Sequence, residues 1–265
     1  MNNIALGRYL PLDSCIHRLD PRTKIIALIL MMVAIFLPAG WVGYALLGCA
    51  VLCLTVLAKL KLNFLWRSMK PMMFMLVFLL IINLFMLQNG TILFEIGSFP
   101  IYSDAVFQTL YITVRLMLMI ILTTVLTATT KPLDLTLGIE HLLSPFKVIH
   151  LPAHEIAMMI SIALRFIPTL IEETQRIMKA QASRGVDMEE GKLKEKIMSI
   201  LSLIVPLFVS AFQHADDLAN AMEARGYVPD RTRTRYKQLH MHIGDYVIFA
   251  ICFLILGGLL VFLWI

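Results

Sequence analysis

The sequence predicts an all-α membrane protein with about five transmembrane helices and an additional layer of long amphipathic helices. Apolar residues make up 59% of the 265-residue chain and charged residues only 15%, whereas soluble domains are roughly 45–50% apolar and about 25% charged. The apolar residues also gather in long runs that no single soluble core can bury. The excess must therefore face lipid.

Five runs are long and apolar enough to approach the roughly 20 residues that cross a bilayer. The first two are separated only by Ala39 and Gly40, so they form a tight hairpin. In the third, Pro71 is predicted to lie in the first helical turn, where its missing N–H is least costly. The five predicted spans cover about Ile25–Pro38, Trp41–Leu57, Pro71–Leu87, Ala105–Ala128 and Tyr246–Ile265.

The distribution of Lys and Arg predicts how these spans are oriented. Neither the turn after the first span nor the loop at residues 88–104 contains Lys or Arg. Apart from Arg115, the basic residues around the first four spans lie on the other side: Arg8, Arg18, Arg22, Lys24, Lys59, Lys61, Arg67, Lys70 and Lys131. We expect the N-terminus in the cytoplasm and the C-terminus outside. This bias also accounts for the net charge of +5, so we expect no nucleic-acid partner.

The spans divide the chain into four segments. Residues 1–24 are predicted to be a retained cytoplasmic segment, because polar and mixed residues, not an apolar stretch, follow the start. Residues 25–130 contain four predicted spans, and residues 244–265 form the last one. Residues 131–243 are predicted to form a cytoplasmic or interfacial domain.

Two long amphipathic helices are predicted within residues 131–243. The first starts near His154 and repeats apolar residues at i, i+3, i+4 and i+7. The second runs from about Lys194 to Arg225, and both contain a proline that can bend a helix. A sixth span at residues 197–212 would place a basic cluster outside, and such a span or a re-entrant segment is the alternative. We therefore favour a helix buried against the membrane-facing side of a cytoplasmic layer.

Both long helices end in a small residue, an arginine and a glycine: Ser183-Arg184-Gly185 and Ala224-Arg225-Gly226. Glycine is a common residue just past a helix end, and an arginine there gains roughly 0.3–1 kcal/mol from the helix dipole. One such ending alone would indicate a cap. Two on consecutive helices favour a further role, in which each arginine makes charge-assisted contacts in a groove of a partner.

The paired endings resemble the coupling motifs of the transmembrane (T) component of energy-coupling factor (ECF) transporters. Residues 14–24, before the first span, and residues 163–168, in the first long helix, are also similar to that family. The resemblance covers essentially the whole chain, although Ser183 stands where the family often has alanine. It identifies the long helices as coupling helices.

The resemblance implies that this chain is a non-catalytic subunit for the uptake of vitamins or other micronutrients. Arg184 and Arg225 would each dock onto one of two ATPase subunits, and a separate substrate-binding (S) component would pack beside the chain. ATP and Mg²⁺ would be bound by the ATPases, with no cofactor on this chain. One S component would bind at a time, interchangeable among several or dedicated.

Methionine is abundant, with 17 residues. Methionine-rich surfaces adapt to several partners, although methionine also simply fills membrane helices. We expect contacts with the S component at Met158, Met159, Ile160, Met178, Met198 and Met222.

Arg115 lies about ten residues into the fourth predicted span. Charge within a membrane is costly unless it is paired. We expect Arg115 to be a structural residue that faces the bundle interior and contacts an acidic group or backbone carbonyls. The alternative is a side chain that snorkels from the edge of the span.

No catalytic or metal-binding residues are predicted. Five residues separate Gly185 from Gly191, where a phosphate-binding loop requires four, and the sequence after His154 lacks the second histidine of a zinc protease. A membrane prenyl- or phosphotransferase is the alternative from a different class, on a partial Mg²⁺-binding match at Asp216, Asp217 and Glu223. A dedicated cobalt or nickel T component is the closer alternative.

Overall fold

A computed structural model of the chain describes residues 9–38, 40–86, 92–96, 99–143, 145, 153–186, 193–228 and 239–264. Internal contacts divide the chain into two compact units. We call Met1–His154 with Leu239–Ile265 the bundle unit, and Glu155–Gln238 the helix-pair unit. The domain boundaries drawn from the sequence stay a prediction. Some residues behind the orientation argument lie outside the described ranges: Arg8, residues 88–91, Lys192 and the basic stretch 231–237.

The described residues form helices joined at one point by a short β-hairpin. The elements are α1 (Pro21–Phe36), α2 (Gly40–Leu57), α3 (Leu62–Met86), β1 (Ile92–Ile96), β2 (Phe99–Tyr102), α4 (Ser103–Thr129), α5 (Pro132–Leu143), α6 (Ala153–Ser183), α7 (Leu193–Ala224) and α8 (Ile243–Trp264). The two strands pair antiparallel. The all-α membrane class is confirmed, and the hairpin is a local addition that the sequence reading did not include.

Five described helices are long and apolar enough to cross a membrane, namely α2, α3, α4, α7 and α8. Four of them correspond to predicted spans. The set differs from the prediction at α1, whose 16 residues are fewer than the 18 of α2, the shortest of the five. Helix α1 ends at Phe36 because Pro38 disfavours helical backbone in the residue before it. Helix α7 meets the length and composition of a span, although the sequence argument assigned it to a cytoplasmic layer.

The predicted position of Pro71 was wrong. Helix α3 begins at Leu62, so Pro71 lies inside the helix and not in its first turn. The polar and basic residues before Pro71 were excluded from the predicted span because of their charge. Charge excludes such residues from the hydrocarbon core but does not stop them from being helical.

Helix α5 was also not predicted, and it packs against α1 in the bundle unit. The contact is close at Gly138, where an added Cβ would lie 3.0 Å from Ile25 Cδ1 and 3.3 Å from Pro21 Cβ. A larger residue at this position would require the Ile25 side chain to shift. The 131–143 stretch, predicted to belong with the long amphipathic helices, belongs by its contacts to the bundle unit.

Buried apolar side chains of α1, α2, α4 and α8 form the main core of the bundle unit, including Ile35, Leu47, Val51, Leu118 and Leu259. At the end of the bundle where α1 starts, the segment before α1 packs on the end of α4. The Leu10 N–H donates to the Ala128 carbonyl at 3.0 Å. The buried Lys24 ammonium donates to the Thr129 carbonyl at 3.0 Å.

Candidate functional site

Helix α6 ends in a Schellman motif built around Gly185. The Gly185 N–H donates to the Ala182 carbonyl at 3.0 Å, and the Val186 N–H donates to the Gln181 carbonyl at 3.0 Å. These two bonds define the motif. They require a left-handed residue past the helix end, and Gly185 has a φ of +81°.

Helix α7 ends in the same motif around Gly226. The Gly226 N–H donates to the Glu223 carbonyl at 2.8 Å, and the Tyr227 N–H donates to the Met222 carbonyl at 2.9 Å. Gly226 has a φ of +72°. The two endings predicted to be similar from their residues are therefore the same backbone structure, with the arginine in the same capping position.

Conformation alone, and not space, demands glycine at both ends. A Cβ added at Gly185 or Gly226 would meet nothing within 4 Å. The arginines just before them, Arg184 and Arg225, are exposed. No ion pair within the described part of the chain includes either guanidinium. Each ending thus presents an exposed guanidinium beside a left-handed glycine, and we call Arg184-Gly185 and Arg225-Gly226 the two tips.

Contacts within the helix-pair unit show that α6 and α7 run antiparallel. The Phe166 and His214 rings stack with centroids 6.1 Å apart. Further along α6, the Gln181 side chain donates to the Ser202 carbonyl at 3.3 Å. Moving forward along α6 therefore means moving backward along α7.

The two tips consequently lie at opposite ends of the pair. Arg184 follows Phe166 by 18 residues and Arg225 follows His214 by 11 residues, in opposite directions. At 1.5 Å of rise per residue, the tips are separated by roughly 40 Å for straight, aligned helices. This separation suits two partner surfaces and not one.

The six predicted S-component contacts differ in exposure. Met159, Ile160, Met178 and Met198 are exposed, whereas Met158 is half-buried. Met222 is also half-buried and lines a cavity of about 290 Å³ between α6 and α7. That cavity is also lined by Phe166 and His214, so Met222 contributes to the packing of the pair.

The larger apolar surface lies on α7 and was assigned to a buried helix by the sequence analysis. In this chain it is exposed: Ile197, Ile200, Leu201, Ile204, Val205, Phe208, Val209 and Phe212 are among the exposed apolar residues. Phe208 has the largest exposed fraction of these side chains, at 63%. The signal was present in the sequence, since residues 197–212 are almost wholly apolar. An amphipathic layer helix buries only a stripe.

Arg115 contacts aromatic residues and not a carboxylate. Its Nε donates to the Tyr44 hydroxyl at 2.8 Å, and its Cζ lies 5.3 Å from the Tyr111 ring centroid and 5.6 Å from that of Phe36. The ion pairs found among the described residues do not include it. The prediction that Arg115 contacts protein agrees with this geometry, while the expected acidic or carbonyl partner is replaced by a tyrosine hydroxyl and two aromatic rings.

Comparison with known proteins identifies the family. Residues 13–236 match the family model CbiQ, described as "Cobalt transport protein". The chain is 47% identical over 245 residues to an energy-coupling factor transporter transmembrane protein EcfT of Macrococcus caseolyticus, covering 92% of each chain. It is 43% identical over 263 residues to the EcfT protein of Bacillus subtilis, covering 99% of each. A further EcfT protein, from Listeria innocua, is 42% identical over 263 residues. The chain therefore belongs to the CbiQ family and is an energy-coupling factor transporter transmembrane component.

Proposed function

We propose that this chain couples ATP hydrolysis by two partner ATPase subunits to the movement of a substrate-binding S component. In this proposal each tip docks into a groove of one ATPase. The chain itself carries out no catalysis, and ATP and Mg²⁺ bind to the ATPases. The N-terminus is cytoplasmic and the C-terminus extracellular.

The observation that carries the proposal is the structural identity of the two tips. Two copies of one cap, each with an exposed arginine, can be recognised by two similar surfaces. The antiparallel packing of α6 and α7 separates the tips enough for each to contact a different subunit. A pair of ATPases that close on ATP binding would move the tips relative to each other, and rigid helices transmit such displacements.

The exposed apolar surface of α7 supports an S component as the third partner. A helix of that composition is stable when it is covered by lipid or by an apolar protein surface. We propose that the S component covers part of it, together with the exposed Met159, Ile160, Met178 and Met198. Movement of α7 would then act directly on the S component.

Charge reversal at the tips tests the ATPase docking. We expect Arg184→Glu or Arg225→Glu to weaken capture of the ATPases by the full-length chain, and the double variant to abolish capture and uptake. Loss of one charge-assisted contact typically weakens binding by about 1.5–3 kcal/mol, which is roughly ten- to a hundredfold in affinity. Full assembly and uptake with the double variant would reject the proposed roles.

Two exposed basic residues on the same helices provide matched controls. Lys179 lies one turn before the α6 tip, and Lys196, near the start of α7, lies at the same end of the antiparallel pair and far from the α7 tip. Lys179→Glu and Lys196→Glu make the same change in net charge without touching a cap. If these two control variants weaken ATPase capture as much as the tip variants do, the loss comes from the change in net charge and not from a docking contact of the tips.

The transported substrate distinguishes a general T component from one dedicated to cobalt or nickel. The family model is described as a cobalt transport protein, whereas the curated relatives carry the general EcfT name. We propose the general role, in vitamin or other micronutrient uptake. Purification of the tagged chain with its partners should recover one or more vitamin-binding S components, and recovery of only a cobalt- or nickel-binding partner would favour the dedicated metal transporter.

A further inference from the structure

Among the described residues, Arg115 contacts aromatic side chains and a hydroxyl and forms no ion pair. The Tyr44 hydroxyl that accepts from Arg115 Nε also donates to the Ile35 carbonyl at 2.7 Å. The tyrosine is thereby fixed between the end of α1 and the start of α2. Arg115 as a whole residue is partly exposed, and its hydrogen bond to Tyr44 uses the Nε atom.

Arg115 reaches toward the end of the bundle where α1 turns into α2, which we call the turn end. Helical side chains lean toward the N-terminus of their own helix. The N-terminal half of α4 lies at the turn end, because Trp41, in the first turn of α2, packs against Phe107 and Tyr111 with ring centroids 6.3 and 6.0 Å apart. The Arg115 guanidinium accordingly lies beside Tyr111, one turn nearer that end.

The turn end has the composition of a membrane–water boundary. Trp and Tyr are enriched where bilayers meet water, and this end carries Trp41, Tyr44 and Tyr111 around the guanidinium. Helix α2 has 18 residues and is therefore about 27 Å long, slightly less than the roughly 30 Å hydrocarbon core. The α1–α2 turn consequently lies at the boundary and not beyond it.

We propose that Arg115 binds the phosphate group of a phospholipid in the leaflet at the turn end. The guanidinium offers parallel N–H donors that match a phosphate. Tyr44 fixes its orientation, and the rings of Tyr111 and Phe36 flank it. Lipid phosphate supplies the negative charge that no described carboxylate supplies. The proposal is independent of ATPase docking.

Native mass spectrometry of the full-length chain in detergent tests this site. We expect the chain to retain phosphatidylglycerol in preference to a diacyl glycolipid without phosphate. Arg115→Gln should reduce this retention by about tenfold, in line with the loss of one charge-assisted contact, and Arg115→Lys should retain part of it. Lys61→Gln, an exposed cation near the start of α3, is the matched control and should change nothing.

A second variant and a competition experiment test the site even if Arg115→Gln folds poorly. Tyr44→Phe removes the fixing hydroxyl but leaves the charge, so it should retain phospholipid better than Arg115→Gln. Free inorganic phosphate or glycerol phosphate should not compete with the lipid. Equal retention of glycolipid and phospholipid, equal retention by a folded Arg115→Gln variant, or full competition by free phosphate would overturn the lipid site.

Discussion

The side-chain carboxylate of Asp245 accepts a hydrogen bond from the backbone N–H of Asp20 at 3.0 Å, across 225 residues of sequence. Its other oxygen accepts from the His242 N–H at 2.7 Å. Asp20 is the N-cap of α1, and His242 directly precedes α8. One carboxylate therefore holds the N-terminal ends of two helices together, where both helix dipoles favour a negative charge.

Removing this carboxylate should destabilise the bundle unit. Asp245 is 0% exposed, so Asp245→Ala leaves the buried Asp20 N–H without its partner, at a cost of about 1–3 kcal/mol, and also removes the bond from the His242 N–H. We expect a clearly lower thermal unfolding temperature in detergent. Asp104→Ala, which removes an exposed carboxylate from the first turn of α4, should have little effect. An unchanged unfolding temperature for Asp245→Ala would show that the contact contributes no stability.

Acidic pH should weaken the fold near the N-terminal segment. Burial lowers the pKa of His17 below its usual 6.5, and the Lys24 charge adds to this, while the Leu10 carbonyl opposes it. The folded state thus binds fewer protons than the unfolded state below pH 6.5, so stability decreases as the pH falls through that value. Unfolding temperatures measured between pH 5 and 8 test this.

His17→Gln should flatten the pH dependence only in part. His141 in α5 shows the same direction, because burial and then the Arg22 charge lower its pKa. The double variant with His141→Gln should be flatter than either single variant. A pH profile that is unchanged in the double variant would assign the effect to other groups.

The tips should tolerate asparagine better than alanine. Alanine at a positive φ costs roughly 1–2 kcal/mol, whereas asparagine adopts the left-handed region more readily. Gly185→Ala and Gly226→Ala should therefore reduce ATPase capture by several-fold, and the asparagine variants should reduce it less. Since a Cβ meets nothing at either site, equal losses for both substitutions would contradict a conformational origin.

The distance between the tips can be measured directly. Spin labels on Arg184→Cys and Arg225→Cys, in a background without the four native cysteines, should be on the order of 40 Å apart. A label pair at Gln181→Cys and Ser202→Cys, which face each other across the helices, should be much closer. The reverse order of distances would show that α6 and α7 do not pack antiparallel.

Sequence periodicity predicted the long elements well because they carry many residues of one pattern. Helix α6 was expected to start near His154 and starts at Ala153, and both tip glycines occupy the expected cap positions. Short elements were missed, since the few residues of α5 and of the β-hairpin give little periodic signal. The sequence reading chose α1 over α7 as a span, because the proline of α7 and the charges around it counted against a segment that is almost wholly apolar.

The partner of Arg115 could not be predicted from spacing. Tyr44 precedes it by 71 residues on a different helix, and no local rule relates the two. The free-energy cost of an unpaired charge in the membrane led us to expect a contact for Arg115, and the partner expected was an acidic group or a backbone carbonyl. Aromatic rings and a hydroxyl satisfy the same requirement at a bilayer boundary, where full neutralisation within the protein is unnecessary.

The uncovered apolar surface of α7 also bears on how the cell handles this subunit. A copy synthesised without its companions would display contiguous Ile, Val and Phe side chains, which chaperones and membrane proteases recognise as a sign of incomplete assembly. We expect orphan copies to be short-lived and to accumulate only when the other subunits are produced in step. Subunit stoichiometry would then be controlled by degradation of the excess, without a dedicated regulator.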